Sequence, residues 1–464
     1  MVTGHWWRWA KKATIGVLAM IGLYYLAHLE PMKGYLDQIA NYFNSPGRKS
    51  SITRAQLKRG IDFSPEKGPY KITPKAPGLW RVSHNNEDWS DGDDLASVIY
   101  SAGDMDVIEI SPGTYNIKKL TIDRPMLLKG TGSKAQDVII EVSSKSTINL
   151  FNAKIRKVEF QGLTLKSVEL KLFEDAFLDV QDSEVGLYKT SFQSSGHQYF
   201  ARLSRASKIL GRECEFFSGD QFDTLFLEGK SQLDLDNCHF KSHKIAVSTH
   251  ITNFEGTISI TNSEIGNSRS HALMVYGGTV KLETVAIHGG QGGIYLGNKT
   301  NASLTSVTLD GLQVNGIEMA DGATMKLEDV SIAAKQTAIL ALNTGTAIQG
   351  AQLTLLGSQR GLYLREGATA TLSKVNVSGA SISGIILERQ SSLVLDESTI
   401  EPSGSNCVEA QDSRATLRSV TLANCLFAFN LNQNSQIKYK QLTFKNNKEK
   451  VHNNFNSSKF EELH

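Results

Sequence analysis

Apolar and polar positions repeat along most of this chain with a step of 22 to 25 residues. Each repeat unit ends on an apolar marker residue, and Leu165 precedes the regular series by a longer step. The markers are Phe192, Phe216, Phe240, Ile265, Ile287, Leu309, Ile332, Leu355, Val377, Ile400, Leu422 and Phe444. So long a series predicts a solenoid, because each unit can bury its apolar face only against its neighbours.

The pattern inside each unit indicates which kind of solenoid this is. Counting back from the marker, positions −7, −5, −2 and 0 are mostly apolar, as in VKLETVAI at 280–287. Alternation by two is typical of a strand, and the break between −5 and −2, with a polar residue at −3, indicates a corner. A third short strand follows, reading GIYL, GIEM, GLYL or GIIL. Three strands and three turns per unit predict a coil of a parallel β-helix, and the leucine-rich-repeat pattern is absent.

Two neighbouring units carry the same phrase with its charges exchanged, GLYLREGATATL at 361–372 and GIILERQSSLVL at 384–395. Successive coils stack about 4.8 Å apart, so Arg365 is predicted beside Glu388, and Glu366 beside Arg389. Asp412 continues the second column. Opposite charges facing each other stabilise a sheet by a few tenths of a kcal/mol, which gives the exchange a structural role in fixing register.

The segment Ala13–Leu29 contains no Asp, Glu, Lys or Arg over 17 residues, the lower limit for a helix that spans a membrane. Three tryptophans precede it as an interfacial belt. A cleaved signal peptide is the competing interpretation, but LAHLEPM offers no A-x-A-like site and the apolar run exceeds a usual h-region. We therefore predict an uncleaved single-pass anchor.

The charges that flank this segment predict its orientation. Arg8, Lys11 and Lys12 lie close before it, and only Lys33 lies close after it. Basic residues stay on the cytoplasmic side, so the bulk of the chain is predicted in the periplasm, anchored in the inner membrane of a bacterial cell. A basic run between residues 48 and 75 weakens this orientation without reversing it.

The stretch from Trp80 to Gly132 contains the phrases GDMDVIEI and SPGTY, followed by an apolar strand that ends in glycine. It resembles the N-terminal end of right-handed β-helices of the pectin-lyase-like superfamily. The resemblance implies a short helix Leu95–Ala102, capped by Asp93 or Asp94, that closes the open end of the solenoid. Polysaccharide lyases, hydrolases, esterases, epimerases and non-enzymatic carbohydrate-binding modules share this fold, so the fold does not choose among them.

These observations together predict an all-β fold. It is a right-handed single-stranded parallel β-helix of about 12 or more coils of about 23 residues, with an N-terminal capping helix and one preceding transmembrane helix. The expected segments are a cytoplasmic N-terminus at 1–12, an anchor at 13–29, a basic tether at 30–79, the β-helix at 80–444 and a polar tail at 445–464.

The charge distribution indicates which partners are disfavoured, and the cysteines and histidines indicate which bonded or metal sites are possible. Residues 1–80 carry an excess of eight positive charges, so the remainder is mildly acidic in a chain of net charge +2; this disfavours nucleic acid. Cys214 and Cys238 share one inward position on adjacent coils and are either a buried thiol pair or a disulfide. A zinc site with His239 and His243 matches no familiar spacing. We predict no metal and no cofactor.

The outward residues of the third strands form a column that is a candidate for catalytic groups. In chain order these residues are Arg202, Phe226, Met274, Tyr295, Glu318, Leu340, Tyr363, Ile386, Glu409 and Asn430. Glu318 and Glu409 lie four coils apart, about 19 Å at the spacing between strands, too far to act as paired carboxylates. The catalytic residues, if any, stay unknown, and a non-enzymatic role is favoured.

One segment resembles a motif of the pectin methylesterases. GDQFDTLF at 219–226 is similar to their G-x-Q-D-T-L-[YF], in which Gln and Asp are catalytic. Here Phe222 intrudes between Gln221 and Asp223, and the later D-F-x-F-G segment with the second Asp is absent. The match is therefore incomplete.

The outward column predicts a function in binding. Its candidate ligand-binding residues are Phe226, Met274, Tyr295, Glu318, Tyr363 and Glu409. Exposed aromatic and apolar side chains along a flat face can stack on sugar rings or dock a partner, unless a terminal element covers them. The expected partner is a neutral glycan or an envelope protein, within a polysaccharide-handling system. The alternatives are a polysaccharide lyase, hydrolase or esterase with carboxylates on loops, and a rigid scaffold of the cell envelope.

Overall fold

The computed structural model describes residues 70–463, except 77–78, 85–86, 92–94, 103–105, 118–119, 143–147, 168–172, 195–196, 404–405 and 455–456. They belong to the unit formed by residues 61–464. The described strands form one continuous sheet of 39 strands, and every pairing from the fourth strand onward is parallel. The predicted parallel solenoid is confirmed.

Strands β1 to β13 are Tyr70–Ala76, Leu79–His84, Glu87–Asp91, Asp106–Ile110, Gly113–Ile117, Leu120–Ile122, Met126–Gly130, Val138–Val142, Ile148–Gln161, Thr164–Ser167, Phe173–Tyr188, Ser191–Gln193 and His197–Ser204. Strands β14 to β26 are Lys208–Arg212, Glu215–Gly229, Gln232–Asp236, His239–Phe254, Thr257–Thr261, Glu264–Tyr276, Thr279–Glu283, Ala286–Gly297, Asn301–Leu312, Asn315–Met319, Thr324–Ala334, Thr337–Leu342 and Ala347–Leu356. Strands β27 to β39 are Arg360–Arg365, Thr369–Ser378, Ser383–Glu388, Ser392–Asp396, Thr399–Glu401, Asn406–Gln411, Arg414–Arg418, Thr421–Ala423, Phe427–Asn432, Gln436–Lys440, Thr443–Lys445, Glu449–Asn453 and Lys459–Glu462. Helix α1 is Leu95–Ser101, and a 3-10 turn covers Ala135–Asp137.

Each coil contributes strands to three faces. Face A contains strands such as β16, β18 and β20, face B contains the marker residues on strands such as β10, β12 and β31, and face C contains the third strands such as β23, β25 and β27. Every marker lies opposite the marker of the next coil, from Leu165 facing Phe192 to Leu422 facing Phe444. The register predicted from the period is therefore confirmed.

The corner between faces A and B has the same geometry in coil after coil. Its residue adopts a positive φ of 47° to 57° and is exposed at all nine positions predicted to be polar. They are Glu213, Asn237, Asn262, Thr284, Ser306, Asp329, Gln352, Lys374 and Glu397. A single left-handed residue turns the chain and directs its side chain to solvent, which accounts for the polar residue at each corner.

Inside the coils, marker side chains stack along the solenoid. The ring of Phe216 stacks on Phe192 at 5.1 Å and on Phe240 at 4.7 Å between centroids. Cys214 and Cys238 are buried and unbonded, in agreement with the first of the two alternatives. A disulfide not predicted from the sequence joins Cys407 to Cys425.

The exchanged charges pair as predicted. Arg365 Nε lies 3.8 Å from Glu388 Oε2, and Arg389 Nη1 lies 2.8 Å from Glu366 Oε1. The structural interpretation of this repeat is confirmed, because each pair joins one coil to the next.

Both ends of the solenoid extend beyond the predicted limits. The tether was expected to continue to residue 79, but β1 pairs with β2 in antiparallel orientation and with β4 in parallel orientation. The pairing of β1 with β4 ends at Ile72. Pro74 lies beyond it, so the N–H that proline lacks is not needed for a hydrogen bond to β4. Helix α1 follows, with Leu95, Val98 and Ile99 buried; its role as a cap stays a prediction, and Asp93 and Asp94 lie outside the described residues.

At the other end, residues 445–464 were expected to be a polar tail. Instead β38 and β39 add parallel strands, in which Val451 faces Phe429 and Phe460 faces Ile437. These pairs are 22 and 23 residues apart, so the period continues past Phe444 through a sequence rich in Asn and Lys.

No helix among the described residues is long and apolar enough to cross a membrane. The predicted span Ala13–Leu29 and its flanking residues lie outside that part of the chain. The anchor and its orientation therefore stay predictions.

Candidate functional site

The outward residues of face C form one column in register. From the N-terminal end they are Asp179, Arg202, Phe226, Ser248, Met274, Tyr295, Glu318, Leu340, Tyr363, Ile386, Glu409, Asn430 and His452. All ten residues predicted for this column lie in it. Sequence reasoning missed Ser248, because β17 carries a register shift between His243 and Val247 that disturbs the period.

The column is half-buried along most of its length, since each of its residues alternates with core residues. Glu318, for example, lies between the buried Ile317 and Met319. The predicted residues Met274, Tyr295 and Glu318 lie on successive coils, Tyr363 lies two coils past Glu318, and Glu409 lies two coils past Tyr363. They form a line along the face and do not converge on one point.

An aromatic cluster surrounds Tyr295. Its ring centroid lies 5.2 Å from that of Tyr276 and 6.2 Å from that of His271. Two glycines leave room for these rings, because a Cβ at Gly292 would lie 2.6 Å from His271 Cδ2 and one at Gly297 would lie 3.1 Å from both tyrosine rings. The three rings can therefore lie this close together because Gly292 and Gly297 have no side chains.

Burial shifts the pKa values of the groups in this cluster. It raises the pKa of Tyr295 to about 12, and nearby acidic groups act in the same direction. Burial also raises the pKa of Tyr276 above its usual value, and it lowers the pKa of His271 against the opposing effect of Glu318. At neutral pH the cluster therefore presents two protonated phenols, which can donate hydrogen bonds, and an imidazole with a lone pair.

Two carboxylates on face C are held by the same short motif. Asn315 Nδ2 donates to Glu318 Oε2 at 2.9 Å, and Asn406 Nδ2 donates to Glu409 Oε2 at 3.1 Å. Ser383 Oγ also donates to Glu409 Oε2, at 2.9 Å. Sequence reasoning missed both asparagines, although the repeated N-x-x-E spacing was a signal for them.

Tyr363, between these carboxylates, is more constrained than Tyr295. Its hydroxyl donates to Glu388 Oε2 at 2.7 Å, and the Arg360 guanidinium carbon lies 5.8 Å from its ring centroid. Burial, followed by Glu388, raises the pKa of Tyr363 to about 12. Its hydroxyl is therefore engaged within the protein, and its role in ligand binding stays a prediction.

The N-terminal third of face C combines aromatic and charged groups. The Tyr199 and Phe226 rings stack at 4.3 Å, and Arg202 Nη2 lies 3.1 Å from Asp179 Oδ2. In the esterase-like segment Gln221 is exposed, Phe222 is buried and Asp223 is buried on the outer face. The buried Phe222 therefore separates the two residues that are adjacent in the esterase motif.

The described residues contain no group of three or more His, Cys, Asp or Glu side chains placed to hold a metal ion. His239 Nδ1 lies 3.1 Å from Glu264 on face B, and the buried His243 lies 2.7 Å from Ser268 Oγ. Glu318 and Glu409 remain four coils apart.

The repeat pattern also matches a described family. Residues 128–355 and 278–461 match the family model described as a right handed beta helix region. The chain belongs to the right-handed β-helix family. The match confirms the predicted right-handed parallel β-helix fold of this protein. No curated protein matches its sequence.

Several solved structures are similar to this chain in fold. The periplasmic alginate epimerase AlgG is 13% identical, with a TM-score of 0.41 over 88% of this β-helix protein and 99% of that chain. The catalytic unit of a GH87 alpha-1,3-glucanase from Streptomyces thermodiastaticus is 12% identical, with a TM-score of 0.35 over 85% and 82%. PfbA, a surface adhesin of Streptococcus pneumoniae, is 14% identical, with a TM-score of 0.36 over 76% and 85%. These likenesses concern the fold and assign no function.

Proposed function

We propose that this β-helix protein binds a glycan along face C, with Tyr276, Tyr295, Asn315 and Glu318 at the centre of the site. The observation that carries the proposal is the pair of protonated tyrosines beside a carboxylate that an asparagine holds in place. Sugar rings offer apolar C–H faces that pack on aromatic rings, and hydroxyl groups that bond to carboxylates and amides.

The spacing of the coils supports an extended polymer as the ligand. Side chains of one column recur about every 4.8 Å, which is close to the length of one pyranose unit in an extended glycan. Each coil can therefore offer one side chain to one sugar unit. Glu318 and Glu409 repel polyanions, so the ligand class is a neutral glycan.

We also propose that the chain is a single-pass inner-membrane protein with its solenoid in the periplasm. The apolar segment Ala13–Leu29 and the basic residues before it support this. The Cys407–Cys425 disulfide supports it independently, because structural disulfides persist in oxidising compartments. Protease added to spheroplasts should degrade the solenoid, and a solenoid that stays intact until the cells are lysed would contradict this placement.

A glycan array probed with the detergent-purified full-length protein tests the binding proposal. We expect binding to neutral oligosaccharides and at least a tenfold loss in the double variant Tyr276→Ala/Tyr295→Ala. The control is Tyr100→Ala on α1, where the tyrosine is 73% exposed and lies outside face C, so binding should be unchanged.

Analysis of products from every bound glycan separates the alternatives. Cleaved chains or new unsaturated ends would replace binding with an enzymatic function. If no glycan binds at all, the proposal fails, and a protein partner or a scaffold role takes its place.

A further inference from the structure

Asp223 is a buried carboxyl group with one oxygen that accepts no hydrogen bond from the described residues. It lies on face C, three residues before Phe226, and is 8% exposed. Its Oδ2 accepts a hydrogen bond from Ser248 Oγ at 3.0 Å. Among the residues that the structure describes, none donates a hydrogen bond to the buried Oδ1, which forms an ion pair with Lys244 Nζ at 3.7 Å.

A buried acceptor without a hydrogen bond is unfavourable, and such groups are uncommon in folded proteins. Lys244 does not remove the deficit, because its side chain is 51% exposed and a solvated lysine gains little by ordering itself. The Oδ1 atom of Asp223 therefore keeps the capacity to accept a hydrogen bond from a ligand.

The surroundings of Asp223 are suited to a sugar ring. Tyr199 faces Asp223 on the preceding coil, and the Tyr199 ring stacks on Phe226. The register shifts between Gly219 and Asp223, where Gly219 has a φ of +74°. Such irregularities re-aim side chains next to functional sites, and this one places the carboxyl beside the aromatic pair.

We propose that Asp223 anchors a second subsite of face C, where its Oδ1 accepts a hydrogen bond from a sugar hydroxyl and the Tyr199–Phe226 pair packs on the same sugar unit. The inference rests on the proposed function, because both subsites belong to one glycan-binding face. Phe226 lies three coils before Tyr295, about 14 Å at the spacing between strands. A hexasaccharide spans both subsites, whereas a disaccharide occupies only one.

Asp236 supplies a matched control on another part of the coil. Its Oδ1 accepts hydrogen bonds from Asn262 Nδ2 at 2.8 Å and Thr261 Oγ1 at 2.9 Å. Its Oδ2 lies 3.0 Å from Arg212 Nη1. Both carboxylate oxygens have partners within the protein, so this aspartate has a structural role.

The experiment compares Asp223→Asn with Asp236→Asn in the full-length protein. The probes are neutral hexasaccharides and disaccharides of glucose, mannose and galactose, measured by calorimetry, with urea unfolding of each variant alongside. For Asp223→Asn we expect at least a tenfold weaker hexasaccharide affinity, an unchanged disaccharide affinity and an unfolding midpoint equal to or above that of the wild type. For Asp236→Asn we expect a lower midpoint and affinities within twofold of the wild type.

Tyr199→Ala is a second variant at the same subsite, and it should also weaken hexasaccharide binding alone. If Asp223→Asn binds hexasaccharide like the wild type, or lowers the midpoint as Asp236→Asn does, the carboxyl is structural and the inference fails while the proposed function stands. If the wild type binds none of the probes, the proposed function itself fails and the inference with it.

Discussion

Two sets of carboxylates in the C-terminal half of the solenoid are held in different ways. In the turn that follows face C, the carboxylate of Glu366 lies 3.3 Å from Arg365 and 2.8 Å from Arg389. On face C, Glu318 and Glu409 each have one oxygen bonded to an asparagine. No Lys, Arg or His in the described part of the chain forms an ion pair with either of them. Charges paired between coils fix the register, whereas the charges of Glu318 and Glu409 are the ones that the proposed function assigns to a ligand.

The largest expected effect follows from removing a face C charge. Glu318→Gln should weaken glycan binding about tenfold, which corresponds to about 1.4 kcal/mol, because the amide is a poorer acceptor for a sugar hydroxyl. Stability should stay within about 0.5 kcal/mol, since no ion pair is lost. Calorimetric titration and urea unfolding give the two values. Glu366→Gln is the control, with binding unchanged; an equal loss of affinity in both variants would remove the distinction between the two sets.

Reversing a charge in the turn should produce the next effect. Arg389→Glu places like charges on adjacent coils next to Glu366 and should destabilise the fold by up to about 1 kcal/mol. The additional change Glu366→Arg should recover much of that stability by restoring opposite charges between these two coils. Urea unfolding of the single and double variants measures both. A double variant no more stable than the single one would contradict the register role.

The smallest expected effect concerns the pH dependence of Asp223. Burial raises the pKa of this carboxyl above its usual 3.8, against the opposing effects of Lys244 and Ser248. The folded state therefore holds the proton more tightly than the unfolded state, and stability from this group declines as the pH rises from below 3.8 through the raised pKa. Asp223→Asn removes that decline, so its stability gain over the wild type should be absent at low pH and present at neutral pH. A gain independent of pH in urea unfolding would contradict this assignment.

The repeat itself could be predicted because it depends on local pattern. Each marker from Phe192 to Phe444 lies where the period puts it, and the pairing of Arg365 with Glu388 follows from a single shift of one coil. The polar corner positions, such as Asn237 and Lys374, were also identified, although their left-handed backbone was not.

Other features depend on three-dimensional detail that a period does not encode. The cysteines of the Cys407–Cys425 disulfide are 18 residues apart. This separation is shorter than one coil, so the period of the repeat does not pair them. Tyr276 joins Tyr295 only because Gly297 leaves space for both rings. The burial of Asp223 follows a register shift after Gly219, which no repeat pattern predicts.

The corner between faces A and B has the same backbone geometry in successive coils, so deleting one whole coil should leave the remaining coils stacked in register. Thr337 faces Arg360 in register, so excising residues 337–359 would join Gln336 to Arg360 without altering either strand's orientation. The two asparagine-held carboxylates would then be three steps apart instead of four. The distance between Glu318 and Glu409 can thus be changed in steps of one whole coil, and under the proposed function the preferred oligosaccharide length should change with it.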